Sequence, residues 1–96
     1  MRESKFQANL IYEIKQRFPG CVVMKNDPNY IQGIPDLIIL YNDKWAALEC
    51  KVSAKAHRQP NQEHYISRFN EMSYAAFIYP ENKEDILNAM EQALES

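Results

Sequence analysis

The sequence predicts an α/β fold in which a mixed central sheet of about four strands is flanked by helices, in the order αβββαβα. Three segments repeat apolar residues at helical spacing, and four short apolar runs bounded by polar or proline-containing turns have the composition of strands. The chain has 96 residues, of which 46% are apolar. This content suffices for one small core, so we expect a single domain over residues 1–96.

The first helix is predicted over residues 4–18. Ser4 and Gln7 have the spacing of a capping box, and the pair Pro19-Gly20 ends the helix. The residues expected to form its buried stripe are Phe6, Leu10, Ile11, Ile14 and Phe18.

The next three strands include a predicted hairpin. A strand over residues 21–25 and a polar loop over 26–32 lead into it. Two apolar runs at 37–41 and 45–52 flank the polar pair at 42–43, which predicts a short turn between antiparallel strands.

The rest of the chain predicts a helix, a strand and a helix. Pro60 lies near the start of the second helix, a fourth strand over 74–79 stops at Pro80, and the last helix covers 83–95. The apolar positions expected to face the sheet are Tyr65, Phe69 and Met72 in the second helix and Ile86, Leu87, Met90 and Leu94 in the last one.

Three ionisable side chains are expected to converge at one end of the hairpin. Asp36 opens its first strand, and Glu49 and Lys51 lie near the end of its second strand. Side chains two apart on a strand share a face, so Glu49 and Lys51 point the same way. The alternating residues Cys50 and Val52 then face the core.

Two neighbouring carboxylates repel each other unless a cation or a shared proton relieves them. Mg²⁺ or Mn²⁺ takes oxygen ligands and is commonly held by one or two carboxylates, water and a substrate phosphate. A lysine beside such a cation can hold a phosphate oxygen or orient the attacking water. The pattern therefore favours metal-dependent phosphodiester hydrolysis, with a plain surface hairpin as the alternative.

Pro35-Asp36 followed by Glu49-Cys50-Lys51 resembles the motif of the PD-(D/E)xK nuclease superfamily. Within it, the chain most resembles the stand-alone viral VRR-NUC domain nucleases and the Holliday-junction resolvases, although it has no Val-Arg-Arg tripeptide. The resemblance implies a restriction-endonuclease-like core and a Mg²⁺-dependent endodeoxyribonuclease that hydrolyses phosphodiester bonds.

The resemblance also assigns roles to residues. Asp36, Glu49 and the backbone carbonyl of Cys50 would hold Mg²⁺ or Mn²⁺, and Lys51 would be the catalytic cation. A glutamine at the start of the second helix borders the active site in such nucleases, and Gln62 matches that placement. The alternative for Gln62 is an exposed residue of the first helical turn.

Related resolvases carry a metal-site glutamate on the first helix, and two residues here could match it. On a helical wheel, Glu3 projects close to the middle of the apolar stripe, whereas Glu13 falls about 95° to one side. Glu3 is therefore the expected catalytic and metal-binding residue, and Glu13 is its alternative. Glu3 could instead be solvated in the first turn, where the helix dipole favours an acid.

The expected DNA contacts are basic residues near the motif. Lys55, His57 and Arg58 lie in a segment without acids that follows the motif, and Lys25 ends the first strand. The polar loop residues Asn29, Tyr30 and Gln32 are also near enough to contact DNA, with plain loop surface as the alternative. The C-terminal residues are strongly acidic, so the last helix is expected to pack away from DNA.

Symmetrical cutting of a DNA junction requires two sites related by a two-fold axis. We therefore expect a homodimer that selects branched DNA by its backbone geometry. No membrane span or signal peptide is apparent, which predicts a cytoplasmic protein, in the host cytoplasm if it is viral. Cys21 and Cys50 are expected to be buried free thiols without a functional role.

Two other functions stay open. One is a catalytically inactive DNA-binding or scaffold protein that keeps the nuclease fold. The other is an interaction domain without a nucleic-acid role, which a salt-insensitive failure to bind any DNA would indicate. The presence of Asp36, Glu49 and Lys51 together favours the nuclease.

Overall fold

The computed structural model describes residues 2–96. Within that range the elements follow the order αβββαβα around a mixed sheet, which confirms the predicted fold class. The elements are α1 (Glu3–Arg17), β1 (Val22–Lys25), β2 (Leu37–Tyr41), β3 (Lys44–Cys50), α2 (Pro60–Met72), β4 (Tyr74–Ile78) and α3 (Lys83–Glu95). Across residues 2–96, every helix is too short or too polar to cross a membrane.

The four strands form one sheet in the order β1-β2-β3-β4. The first three are antiparallel neighbours, whereas β4 runs parallel to β3. The β2-β3 hairpin turns at Asn42, whose φ of 57° lies in the left-handed region that asparagine tolerates better than most residues. The parallel pair needs a crossover connection, and α2 provides it across one face of the sheet.

The helices cover the two faces of the sheet unequally. α1 and α3 pack on one face, whereas α2 packs on the other face over β3 and β4. All residues of β3 from Ala46 to Cys50 are buried, because this strand has helices on both sides. The small residues Ala47 and Ala75 are paired neighbours under α2 and leave room for the helix to approach.

The main core lies between the sheet and the α1/α3 layer. The helix positions that are buried there as predicted are Phe6, Leu10, Ile14, Phe18, Leu87, Met90 and Leu94, while Ile11 and Ile86 are partly buried. In α2 the prediction for Met72 is wrong, since this last helical residue is 62% exposed. Phe69 faces the sheet as predicted and meets Trp45 edge to face, with 5.9 Å between the ring centroids.

The predicted capping box at Ser4 and Gln7 is wrong. α1 begins at Glu3 with Arg2 in the N-cap position and without a side-chain cap. Ser4 therefore lies inside the first turn and not at the N-cap position. Its hydroxyl is not placed to accept hydrogen bonds from the free N–H groups of that turn.

Two predictions fail where strands end. β3 ends at Cys50, paired with the last residue of β4, so the chain leaves the sheet and Val52 is 42% exposed instead of facing the core. β1 begins at Val22, so Cys21 precedes the strand and is half-buried. Cys50 is buried as predicted, and both thiols are free.

Candidate active site

The two carboxylates of the motif meet at one end of the sheet. Asp36 precedes β2, and the register that pairs Leu37 with Leu48 continues to place Asp36 opposite Glu49. The N–H of Cys50 donates to Oδ2 of Asp36 at 2.9 Å. This bond ties the aspartate to the neighbouring strand.

Lys51 lies one residue beyond β3, where its own N–H still donates to the carbonyl of Ile78 at 2.9 Å. The residue is 8% exposed, and its ammonium donates to the carbonyl of His57 at 3.0 Å and to Oε1 of Gln62 at 2.8 Å. Nζ lies 3.8 Å from Oε2 of Glu49. Two neutral acceptors and one carboxylate therefore hold the ammonium in place.

Gln62 connects the lysine to the glutamate. Its Nε2 donates to Oε2 of Glu49 at 2.9 Å, while its Oε1 accepts from Lys51 and from the N–H of Gln59 at 3.0 Å. Gln62 is the third residue of α2, and the bond from the Gln59 N–H is the half of a capping box that an N3 glutamine makes. The bonds that start the helix therefore also fix the orientation of this amide.

One oxygen of Glu49 has no partner. The residue is 4% exposed, and its Oε1 is buried without a hydrogen-bond donor anywhere in residues 2–96. Buried polar atoms are normally paired, so an orphan oxygen marks a place where a donor or a cation fits. Burial is the main cause that raises the pKa of Glu49 to about 7, and the charge of Asp36 adds to it, whereas the charge of Lys51 and the backbone N–H of Asp36 lower this pKa. The centre is short of positive charge.

Asp36 and Glu3 belong to the same electrostatic environment. Partial burial raises the pKa of Asp36, while the Cys50 N–H and the charges of Lys51 and Lys25 lower it. Partial burial and the charge of Asp36 raise the pKa of Glu3, which Lys51 lowers. The start of α1 therefore lies within electrostatic range of the motif.

Glu13 faces a different part of the molecule. Its Oε2 accepts a hydrogen bond from Lys83 at 2.8 Å, which joins α1 to α3. Of the two glutamates that the sequence offers on the first helix, Glu3 is the one near the motif.

The donors at this centre suit a hard cation that keeps part of its water. No group of three or more His, Cys, Asp or Glu residues within 2–96 is placed to hold a metal ion, so Glu3 does not complete a side-chain cage. Asp36 and Glu49, with its orphan oxygen, are carboxylate donors of the kind by which Mg²⁺ is commonly bound together with water. The thiol of Cys50 is not counted among these donors, because burial raises its pKa to about 12.

Two of the predicted DNA contacts lie beside the motif. The guanidinium carbon of Arg58 stands 4.0 Å from the ring centroid of Phe77, and Phe77 is the β4 neighbour of Glu49. The positive charge of Lys25 lowers the pKa of Asp36. The sequence contains no signal for the stacking of Arg58 on Phe77, because the two residues meet only when β4 joins the sheet.

The other two predicted contacts are placed differently. His57 contributes its carbonyl to Lys51, while the residue itself is exposed. Lys55 is exposed in the loop after β3, where its N–H donates to Oγ of Ser53 at 3.3 Å. Within residues 2–96, no hydrogen bond or ion pair joins the Lys55 side chain to Asp36, Glu49 or Lys51.

A polar cleft of about 450 Å³ adjoins Gln62, and we call it the amide cleft. Its lining residues are Pro28, Asn29, Gln32, Gly33, Gln59, Asn61 and Gln62. Asn29 and Gln32 were expected to be near enough to contact DNA, with plain loop surface as the alternative. The contribution of Asn61 was missed, because it depends on how closely α2 approaches the loop.

Comparison with known proteins gives no indication of function beyond this geometry. No family model, no curated protein and no solved structure matches the chain.

Proposed function

We propose that the protein is a metal-dependent endonuclease that hydrolyses phosphodiester bonds in DNA. The observation that carries this proposal is the buried, partnerless Oε1 of Glu49, which stands beside Asp36 and near the anchored ammonium of Lys51. Strongly perturbed carboxylates held next to a fixed cation are typical of catalytic sites. The resemblance of the motif to PD-(D/E)xK nucleases supports the same chemistry.

Asp36, Glu49 and the carbonyl of Cys50 would hold Mg²⁺ or Mn²⁺, with Glu3 adding negative charge from the first turn of α1. When bound, the cation would lower the pKa of water and offset the charge that develops on the phosphate.

Lys51 would orient the attacking water or hold a phosphate oxygen. Gln62 and the carbonyl of His57 keep its ammonium at a fixed position, so little reorganisation is needed during the reaction. Arg58, stacked on Phe77, would bind an adjacent phosphate as a second cation. Lys25 would add charge at the edge of β1.

The test is cleavage of a labelled four-way junction and of its matched linear duplex, with and without Mg²⁺ or Mn²⁺. We expect metal-dependent cutting that Lys51→Ala abolishes and that the control Lys15→Ala, an exposed lysine on α1, retains. The ratio of junction to duplex cutting measures structure selectivity. Intact DNA binding without cutting under either metal would instead favour the catalytically inactive DNA-binding protein.

We further propose that the protein acts on branched DNA as a homodimer. Val22 and Met24 of β1 and Leu40 of β2 share one face of the sheet and are 52%, 45% and 38% exposed. Exposed apolar groups that lie together are typical of interaction surfaces. A second copy that covers this face would give two sites related by a two-fold axis.

A charge on that face tests the homodimer. We expect the wild type to be a dimer by light scattering and Leu40→Lys to be a monomer, because a desolvated lysine opposes association. Tyr12→Lys is the matched control, since Tyr12 is 68% exposed on α1 and lies outside this face. A fully active wild-type monomer would contradict the proposal.

A further inference from the structure

Carboxamides line most of the amide cleft beside the motif. Asn29 and Gln32 come from the loop between β1 and β2, while Gln59, Asn61 and Gln62 come from the start of α2. No lysine, arginine, aspartate or glutamate is among the residues that line this cleft. Its volume of about 450 Å³ falls within the range of small-ligand sites, roughly 300–1,000 Å³.

The amide cleft and the motif share Gln62. This residue lines the cleft and also bonds to both Lys51 and Glu49. A group bound in the cleft would therefore lie next to the phosphate that is cut, separated from it by one side chain.

The loop and the helix that form the cleft are in direct contact. Gly33 has a φ of 91°, and a Cβ atom built on it would lie 2.6 Å from Cγ of Asn61. Only glycine permits both the left-handed backbone and this close approach. Within the loop, the N–H of Asn29 donates to Oδ1 of Asp27 at 2.9 Å and closes a local turn.

A carboxamide presents donors and an acceptor in one plane, which matches the edge of a nucleobase. Asparagine and glutamine form paired hydrogen bonds with adenine in this way. A phosphate offers acceptors only and is generally met by arginine or lysine, which the cleft lacks. Tyr30, next to Asn29 in the chain, is 82% exposed and offers a flat face on which a base could stack.

We propose that the amide cleft binds an unpaired nucleobase that neighbours the phosphate to be cut. This inference rests on the proposed nuclease function and narrows its substrate class to DNA with an unstacked nucleotide beside the scissile bond, as at a bulge, a flap or a branch. Taking a base out of the stack costs less where it is already unpaired, so the cleft would select such sites.

The test measures binding and needs no cleavage. Three fluorescein-labelled duplexes are compared by anisotropy in EDTA: one fully paired, one with a single-nucleotide adenine bulge, and one with the same bulge made abasic. We expect the wild type to bind the adenine bulge about tenfold more tightly than the abasic bulge. In the double variant Asn29→Ala/Gln32→Ala the two bulges should bind equally.

The matched control is Gln16→Ala, an exposed amide on α1 that should keep the preference for the adenine bulge. Asn29 and Gln32 are exposed, so their replacement should leave the melting temperature close to that of the wild type. A second variant, Tyr30→Ala, should weaken binding to the adenine bulge more than binding to the abasic bulge, because only the adenine bulge has a base on which the ring can stack.

Each negative outcome has a distinct meaning. Equal binding of the two bulges by a wild type that still cuts DNA would contradict base binding in the amide cleft and would leave the proposed nuclease function intact. If the double variant keeps the preference for the adenine bulge, the base binds elsewhere, and base binding in the amide cleft is contradicted. Failure to bind or cut any DNA would remove the nuclease proposal together with this one.

Discussion

Within residues 2–96, two clusters of charged side chains differ in how their charges are paired and solvated. In the helix cluster, between α1 and α3, Nε of Arg17 lies 2.7 Å from Oε1 of Glu91, and Nζ of Lys83 lies 2.8 Å from Oε2 of Glu13. All four side chains are partly exposed. Arg17 also lies 3.8 Å from Oε2 of Glu84. Every acid of this cluster is close to a base and to water, so none of these charges carries a large penalty.

In the motif cluster, at the end of the sheet, the carboxylates outnumber the lysine beside them. Glu49 and Lys51 are 4% and 8% exposed, their charged atoms stand 3.8 Å apart, and Asp36 and Glu3 add negative charge. A cavity also lies beside the helix cluster, lined by Arg17 and Glu91 among others, so a cavity alone does not separate the two clusters. The buried, unbalanced charge of the motif cluster does, because it is relieved only by protonation of Glu49 or by an added cation.

The largest expected effect is on catalysis and should be confined to the motif cluster. Asp36→Asn should lower kcat for Mg²⁺-dependent DNA cleavage by about 10²- to 10³-fold, because an amide oxygen is a weaker ligand and carries no charge. The same change in the helix cluster, Glu13→Gln, should leave kcat unchanged. Cleavage assays at saturating DNA, with Mg²⁺ titration by calorimetry, measure both. Equal losses in the two variants would contradict a catalytic role confined to the motif cluster.

A smaller effect is expected from the amides of the two clusters. Gln62→Ala should lower kcat by roughly ten- to a hundredfold, because Lys51 loses the acceptor that positions it. It should also destabilise the fold by about 1 kcal/mol through the lost cap. Asn88→Ala, which removes the amide that contacts Arg17, should leave kcat unchanged.

The role of Gln62 as a positioning residue has a further readout. If Gln62 acts through Lys51 and Glu49, its replacement should shift the pH profile of kcat as well as lower kcat. An unchanged profile together with a changed melting temperature would assign Gln62 to the helix cap alone.

The third prediction concerns stability without divalent metal. Burial and Asp36 raise the pKa of Glu49 from 4.5 to about 7, so the folded state holds a proton that the unfolded state releases. The favourable contribution of the protonated glutamate is therefore fully present below about pH 4.5 and is lost as the pH rises through about 7. The melting temperature in EDTA should fall over this interval, and Glu49→Gln should flatten the decline.

Mg²⁺ should reverse that loss. At pH 8, a concentration of about 100 times its dissociation constant should stabilise the fold by about 2.7 kcal/mol by mass action. A melting temperature that changes with neither pH nor Mg²⁺ would contradict the unbalanced charge of the motif cluster.

The smallest effect is expected in the helix cluster. Lys83→Ala removes the partner of Glu13 and should cost no more than about 1 kcal/mol in denaturant unfolding, since partly exposed ion pairs contribute little. This cost should shrink as salt is added. A loss of several kcal/mol would mean that the two clusters differ less than their exposure indicates.

Local pattern was enough to predict the elements and the heart of the motif. The helical spacing of Phe6, Leu10 and Ile14 and the two apolar runs around the 42–43 turn are local features that burial rewards directly. A hairpin with a short turn also brings its two ends together, so the convergence of Asp36 with Glu49 followed from the sequence. Strand and helix ends were less predictable, because they depend on where a partner stops.

The contacts that complete the site were decided by tertiary structure. Residues distant in the chain meet only after α2 has crossed from β3 to β4, which joins Gln62 to Lys51, sets Arg58 on Phe77, and brings Asn61 against Gly33. The sequence by itself determined the α/β order and a carboxylate pair next to a lysine, since period and turn chemistry are local. Helix packing determined which amides, cations and cleft surround that pair, because side chains from separate elements acquire neighbours only in the assembled fold.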